Sequence, residues 1–321
     1  MDQNGVIYAL DIGDSYMRSG VYMDGVTRQV AVVPTPRALR GESGEARLMA
    51  QIVEMVAQTA SEAPPMQALA LAASGIMTLK PRPGARTYGP FKDHDLYVLA
   101  PNVDGLKYMP IQLRLEEMGW GVPIHVENDV NAATRSATEI DDAICINLGA
   151  GLGAAVKRGG RIEHVRGTWS CYEIGHGIRW KFPEQLTRRC HCGNIGCLEA
   201  IVGGWAMTER YRARPEDAPP ETYDRMRNDV VSYLPQAIAD TVRDSGLTTV
   251  LMAGRGAVGY SRDSEFLDRV KTSVEALLPS TPVSLGLLEL GEIAELHGVV
   301  LALHDNRVLE GWNGDQPGKV K

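Results

Sequence analysis

No stretch of this chain is long and apolar enough to cross a bilayer, so no membrane role is expected. Met1-Asp2-Gln3-Asn4-Gly5 lacks the basic start and apolar core of a secretory leader, and the expected location is cytoplasmic. Basic residues are in deficit. Lys and Arg number 33 against 40 Asp and Glu, a net charge of −7, so nucleic acid is not the expected partner. No internal repeat of the kind that builds solenoids is present. Cysteine is scarce: there are five, and three of them fall between 190 and 197. Thiols committed to a metal fit a reducing compartment. What remains is an ordinary soluble composition, 44% apolar and 23% charged, in 321 residues, enough for two domains.

Periodicity gives the order of elements. Val6 to Gly13 reads as a buried strand ending in a glycine turn, and Ser19 to Met23 as a return strand with Asp24-Gly25 as a hairpin signal. Glu45 to Thr59 carries apolar residues at helical spacing, and Leu69 to Ala73 is a second buried strand. Lys80 to Arg86 is rich in Pro and Gly and reads as an exposed loop. Pro123 to Glu127 is a strand followed by a helix opening at Asn128-Asp129. Ala143 to Asn147 is a strand running into Leu148 to Gly153, with Ala154 to Lys157 extended beyond it. Arg212 to Glu221, proline-rich and charged, reads as a mobile insertion or loop. Val230 to Arg243 and Glu289 to His304 are helix candidates, with a strand from Thr248 to Ala253 between them. Strands alternating with helices indicate an α/β architecture.

The most informative segment runs from Glu173 to Glu199. Cys190, Cys192 and Cys197, with His176 one loop upstream, offer three thiolates and an imidazole, a complete tetrahedral set for structural Zn²⁺. Gly193 and Gly196 supply the positive φ that a tight metal knuckle needs. His191, squeezed between two of the cysteines, is expected to point away, and Cys145 and Cys171 to be free thiols. Glu173 and Glu199 bracket the cluster and are held by it.

Three glycine turns each follow an expected strand: Asp11-Ile12-Gly13-Asp14-Ser15, Gly149-Ala150-Gly151-Leu152-Gly153 and Gly254-Arg255-Gly256. Each taken singly is a plain tight turn. Together they point to a nucleoside triphosphate approached by backbone N–H groups. Asp129 stands at a strand end and is the candidate catalytic base. The alternative reading makes it a helix N-cap, a position at which Asp is strongly preferred.

Glu173-x-Gly175-His176, Cys190-x-Cys192-Gly193-x-x-Gly196-Cys197-x-Glu199 and Glu127-Asn128-Asp129-x-Asn131-Ala132 together resemble the ROK family (repressors, open reading frames and sugar kinases) of the actin-like ATPase and hexokinase superfamily. Gly291 to Gly298 is similar to that family's C-terminal helix motif. The resemblance implies a two-domain α/β actin-like ATPase (ribonuclease H-like) fold with an interdomain cleft and a zinc-binding loop. The expected domains are 1–122 and 123–321, with a C-terminal helix near 300–321 packing back on the first. It also implies that Asp129 deprotonates a sugar hydroxyl, usually the primary one, as that hydroxyl attacks the γ-phosphorus of Mg·ATP. Gly75, Asn102, Asn128, Glu173, His176 and Glu199 would hold the sugar. Asp11, Gly13, Ser15, Gly149, Gly151, Gly153, Gly254 and Gly256 would hold the nucleotide, and homodimers or tetramers are common in the family.

The sequence departs from the family pattern mainly on the nucleotide side. Asp14 replaces a glycine, Tyr16 a lysine, Arg255 interrupts the glycine run, and Ser74-Gly75 stands for Pro-Gly. On the sugar side, Trp169 and Tyr172 sit where the family has small residues, which admits an amino sugar or cyclitol beside a plain hexose. The altered phosphate turns keep open a catalytically weak sugar sensor. A regulator is not expected, because only ten residues precede Asp11.

Overall fold

The computed structural model describes residues 5–81, 94–165, 171–176 and 188–305. The chain divides into two compact units. Unit 1 takes the described residues within Met1–Ser136, His164–Ser170 and Glu295–Lys321; unit 2 takes those within Ala137–Glu163 and Cys171–Ala294.

Unit 1 is built on a five-stranded sheet in the order β3-β2-β1-β4-β8. Its strands are β1 (Ile7–Ile12), β2 (Tyr16–Met23), β3 (Val26–Pro34), β4 (Ala68–Ala73) and β8 (Ile124–Asn128). The β2–β3 turn is Asp24-Gly25, both left-handed at φ 53° and 84°, as the hairpin signal requires. β1 pairs antiparallel with β2 and parallel with β4, and β4 pairs parallel with β8.

Alternation along β1 and β4 explains how this sheet is covered. Tyr8, Leu10, Ile12, Leu69 and Leu71 face α1 (Gly44–Glu62), whose Leu48, Ile52 and Met55 complete that core. Ile7, Ala9, Ala68, Ala70 and Ala72 form the opposite face, packed by Leu296, Val299 and Val300 of α9 (Ala294–His304). β4 reads Ala-Leu-Ala-Leu-Ala-Ala, so its large side chains turn to one helix and its small ones let the other approach closely. α3 (Asp129–Arg135) joins the small face through Ala132. A second, three-stranded sheet of unit 1 has the order β5-β6-β7, with β5 at Ile76–Pro81, β6 at His94–Leu99 and β7 at Lys107–Pro110. Lys80 and Pro81 therefore end a strand instead of opening the loop expected there, and 82–86 lie outside the described residues.

Unit 2 carries the sheet β11-β10-β9-β12-β13, with edge strands β11 (Arg161–Glu163) and β13 (Ser284–Leu287). Its central strands are β9 (Ala143–Leu148), β10 (Leu152–Arg158) and β12 (Thr249–Ala253). The 26-residue helix α6 (Pro220–Ser245) and α8 (Phe266–Leu277) cover it through Val230, Leu234, Ile238 and Phe266. The helix expected at 230–243 begins ten residues earlier, because Pro220 occupies its first turn, where a missing N–H is harmless. Arg212 to Glu221 is correspondingly short, and an ion pair from Glu216 to Arg255 at 2.8 Å ties it down.

Unit membership follows sheet membership more than position in the chain. β8, α3 and α9 all lie in unit 1, whereas the boundary expected at 122/123 falls just before β8. Residues 306–321 of the expected C-terminal helix lie outside the described residues.

Close approach of α9 and α3 depends on Gly298, where a Cβ would run into the Ala132 carbonyl oxygen. Gly298→Ala is expected to lower stability by about 1–3 kcal/mol, as overpacking of a full core does. Thermal unfolding of the variant checks this, and an unchanged Tm would mean that the two helices have room to part.

Candidate functional site

In unit 1 the β8–α3 junction brings Asn128 and Asp129 to a strand end. Asn128 Oδ1 accepts from the backbone N–H of Val130 and Asn131 at 3.0 and 3.1 Å, so Asn128 is the N-cap of α3. The alternative role considered for Asp129 is thus filled by its neighbour. Asn128 Nδ2 donates to the Gly75 carbonyl at 3.1 Å. Gly75 has φ 111°, and a Cβ there would lie 2.6 Å from the Leu99 carbonyl oxygen, so glycine is required.

Asp129 is only partly covered, yet the packing around its carboxyl and the nearby charge of Asp11 push its pKa from 3.8 up to about 7. Asp11, itself buried, accepts a 2.6 Å ion pair from Arg18, directly opposite it in the β1–β2 register. Glu295, from the first turn of α9, is the third acid of the group. Burial and then Asp11 push its pKa up to about 8, with Arg18 opposing. One guanidinium therefore faces three carboxyl groups, and at neutral pH the group retains protons.

Glu127, fully buried, lies beside this turn. Its Oε1 accepts from the Asn128 backbone N–H at 3.0 Å and from Asn131 Nδ2 at 3.2 Å. Burial alone would raise its pKa, but His164, Arg135 and His125 together hold it down to about 2. His125 is buried too, and desolvation lowers it to about 4, leaving it neutral near pH 7.

The first glycine turn closes on itself through Gly13 N–H to the Tyr16 carbonyl at 3.0 Å, while the Ser15 carbonyl accepts from Thr35 N–H at 3.0 Å. Asp14, the departure in this turn, is paired with Arg37 at 2.9 Å. Arg37 also donates to the Asn102 carbonyl, so Asp14, Arg37 and Asn102 form one cluster.

In unit 2 the ligand atoms of His176, Cys190, Cys192 and Cys197 lie within 4.8 Å of one another. Cys192 Sγ and Cys197 Sγ are 3.6 Å apart, close to the ~3.8 Å that two ~2.3 Å Zn–S bonds subtend in a tetrahedron. Burial raises the Cys190 thiol well above its ordinary range, so a thiolate there needs a cation beside it. His176 presents Nδ1 to Cys190 Sγ at 3.6 Å and Nε2 to Glu199 and Glu173 at 3.5 and 3.8 Å. That is the carboxylate–histidine arrangement that orients a metal-binding imidazole. Gly193 and Gly196 have φ of 94° and 81°, as a knuckle requires, and His191 turns aside to stack on Trp205 at 3.9 Å. The donor set and its spacing fit zinc.

Glu199 links this cluster to the second glycine turn. Its Oε2 accepts from Leu152 N–H at 3.0 Å, its Oε1 from Trp205 Nε1 at 3.2 Å, and a Cβ on Gly151 would lie 2.7 Å from Oε2. Gly149 accepts through its carbonyl from Gly204 N–H, and Gly153 pairs with Asn147 inside the β9–β10 ladder. Gly254 (φ 87°) and Gly256 open the short helix α7 (Gly254–Tyr260) against the end of β9, where Cβ atoms on either would meet the Leu148 carbonyl at 2.7 Å.

Sequence reasoning missed Arg18, Glu295, His164 and Trp205. Arg18 could have been found by counting back through the Gly13 turn, which places it opposite Asp11. His164 reaches the turn from far along the chain with no local signal, and Glu295, although inside the Gly291 to Gly298 motif, carries nothing local that marks it as facing Asp11. Trp169 lies outside the described residues, whereas Tyr172 pairs with Ala154.

The raised pKa values have a consequence for stability. Between about pH 4 and pH 7–8 the folded protein binds protons on Asp129 and Glu295 that the unfolded chain has released, so stability falls as pH rises through that window. Asp129→Asn and Glu295→Gln are each expected to raise Tm at pH 8, with the gain fading toward pH 4. A loss of Tm at pH 8 in both variants would show that the carboxylates are compensated in the fold.

The ROK family profile matches residues 7–275. Glucokinase of Streptomyces coelicolor is 36% identical over 129 residues, 38% of this chain and 38% of that enzyme. N-acetylmannosamine kinase of Shigella flexneri is 27% identical over 205 residues, 62% and 61% of the two chains. The chain thus spans less than two thirds of either relative. The DNA-binding transcriptional repressor Mlc of Escherichia coli is 33% identical over 120 residues, 28% of its length. Among solved structures, a ROK family glucokinase from Streptomyces griseus in complex with glucose and AMPPNP superposes with a TM-score of 0.71 at 24% identity, covering 93% of this chain and 99% of that one. The ROK hexokinase of Thermus thermophilus gives a TM-score of 0.65 at 24% identity over 94% and 99%. This mixed α/β fold is that of the ROK structures, and with the family profile covering most of its length the chain belongs to the ROK family.

Proposed function

We propose that this chain is an ATP-dependent sugar kinase with Asp129 as its general base. The observation that carries the reading is a carboxyl group at a strand end, next to the capping Asn128 and poised with a pKa of about 7 even though its Oδ1 accepts from Val130 N–H at 2.9 Å. A base is most effective with its pKa near the working pH. The sugar hydroxyl gives its proton to Asp129 as its oxygen attacks the γ-phosphorus of Mg·ATP. The bond from that phosphorus to the β-γ bridging oxygen breaks, and ADP leaves. Positioning and charge neutralisation carry most of the catalysis in such a transfer.

Asn128, Glu173, His176 and Glu199 are assigned to the other hydroxyls of a hexose, amino sugar or cyclitol, and Gly75 and Asn102 are assigned to the same ligand. The glycine turns at 11–15, 149–153 and 254–256 are assigned to the nucleotide. The similarity to a glucokinase and an N-acetylmannosamine kinase supports a sugar as the acceptor. The ion pair of Asp14 with Arg37 supports nucleotide use, since it offsets the negative charge that this turn would otherwise bring to a polyphosphate. His176, Cys190, Cys192 and Cys197 would hold zinc, which fills its four positions with protein ligands and so braces Glu199.

Asp129→Asn keeps size and removes basicity. Turnover on glucose or N-acetylmannosamine with Mg·ATP is expected to fall at least ~10²-fold, with folding intact. Retention of most of the turnover would rule out Asp129 as the base. About one zinc per chain is expected by metal analysis, and Cys192→Ala should lose it and unfold more readily. Full zinc content in Cys192→Ala would overturn the ligand assignment.

A further inference from the structure

We propose that His164 is a positioning residue for Asp129, acting through the buried carboxylate of Glu127. The inference rests on the reading of Asp129 as the base. His164 stands where the chain re-enters unit 1 after Glu163, 37 positions beyond Glu127 in sequence. Its Nε2 lies 3.6 Å from Glu127 Oε1. That same oxygen accepts from the Asn128 N–H and from Asn131 Nδ2. Asn128 then caps α3 and holds the Gly75 carbonyl, so Asp129 lies between two residues whose placement Glu127 dictates.

The two oxygens of Glu127 are held from different places. Oε2 faces Arg135 at 3.6 Å, and Arg135 also reaches Asp305 Oδ2 at 3.4 Å. Arg135 belongs to α3, so its pair with Glu127 of β8 ties that helix to the strand, but through Oε2 and not through the oxygen that bonds the turn. His125 is next but one on the same strand and neutral near pH 7. His164 comes from a separate segment and addresses Oε1, the oxygen that bonds the turn. It therefore sets the direction of the Glu127 carboxylate, and through it the geometry of the base. Contributions of buried ion pairs to stability are often close to neutral, so a purely stabilising role would not call for this particular placement.

A substitution of His164 is less hazardous than one of Glu127, because its side chain is 15% exposed and that of Glu127 is fully buried. In His164→Ala, kcat on glucose or N-acetylmannosamine with Mg·ATP is expected to fall ~10-fold or more, since small displacements of a catalytic group are that consequential. KM for ATP should stay within ~2-fold, as expected when ground-state binding of the nucleotide is untouched. His164→Gln, which keeps an N–H donor near the Nε2 position, should restore most of the loss. In an Asp129→Asn background, His164→Ala should cost much less than in the parent, because the base whose geometry it sets is gone.

The outcomes separate the two readings. Unchanged kcat in His164→Ala alongside a large loss in Asp129→Asn would overturn the positioning role and leave the base intact. Equal losses from His164→Ala in both backgrounds would overturn it as well, by showing action through something other than Asp129. Full activity of Asp129→Asn, or no turnover by the parent protein across hexoses, amino sugars and cyclitols, would overturn the underlying reading and this one with it.

Discussion

A carboxyl group packed inside a protein must be paired, bonded or protonated, and unit 1 is arranged around four of them. Asp11, Glu127, Asp129 and Glu295 meet the requirement in different ways. Glu127 has His164, Arg135 and two N–H donors and stays ionised far below its ordinary pKa. Asp11 has Arg18, whose attraction works against the effect of burial. For Asp129 and Glu295, burial and then the charge of Asp11 outweigh the pull of Arg18 and drive both up toward neutrality. A fold optimised only for stability would not keep acids in that condition. Their presence around the β8–α3 turn is what supports the proposal that the chemistry takes place there.

The remaining architecture of unit 1 can be read as support for that turn. The Ala face of β4 and the glycines at 20 and 298 let α9 come down onto the sheet, which carries Glu295 toward Asp11 and Arg18. The Leu face of the same strand packs the opposite side against α1 and keeps the sheet rigid. Unit 2 uses another device. Three thiols and an imidazole are gathered at zinc-like spacing, and Glu199 extends from that cluster to bond the Leu152 N–H of the second glycine turn. Each unit thus holds a hydrogen-bonded carboxylate at a turn, Glu199 at the second glycine turn and Glu127 at the β8–α3 turn.

Much of this was legible in the sequence where the signal was local. The zinc-type cluster, the hairpin at Asp24-Gly25, the buried strands and the candidate base at Asp129 each rest on residues close together in the chain. Even the turning aside of His191 followed from its neighbours alone. The failures share a different cause. The cap of α3 falls on Asn128 because both asparagine and aspartate suit that position, and only geometry tells which side chain folds back. Glu295, His164 and Arg37 act across long separations, so no spacing rule exposes them. Arg255 looked like a disturbance of the nucleotide turn until its partner Glu216, from a segment read as mobile, was in view.

The central claim is that a carboxyl group held near neutrality by its surroundings accepts the proton in phosphoryl transfer. The pH dependence of kcat/KM for the unmodified protein, with glucose or N-acetylmannosamine as acceptor, tests it most directly. The account expects kcat/KM to fall with unit slope below a midpoint near the value of about 7 set by burial and Asp11. A profile that stays flat from roughly pH 8 down to roughly pH 5 would contradict it, because a base ionised throughout that range is not the carboxyl group that the fold has raised.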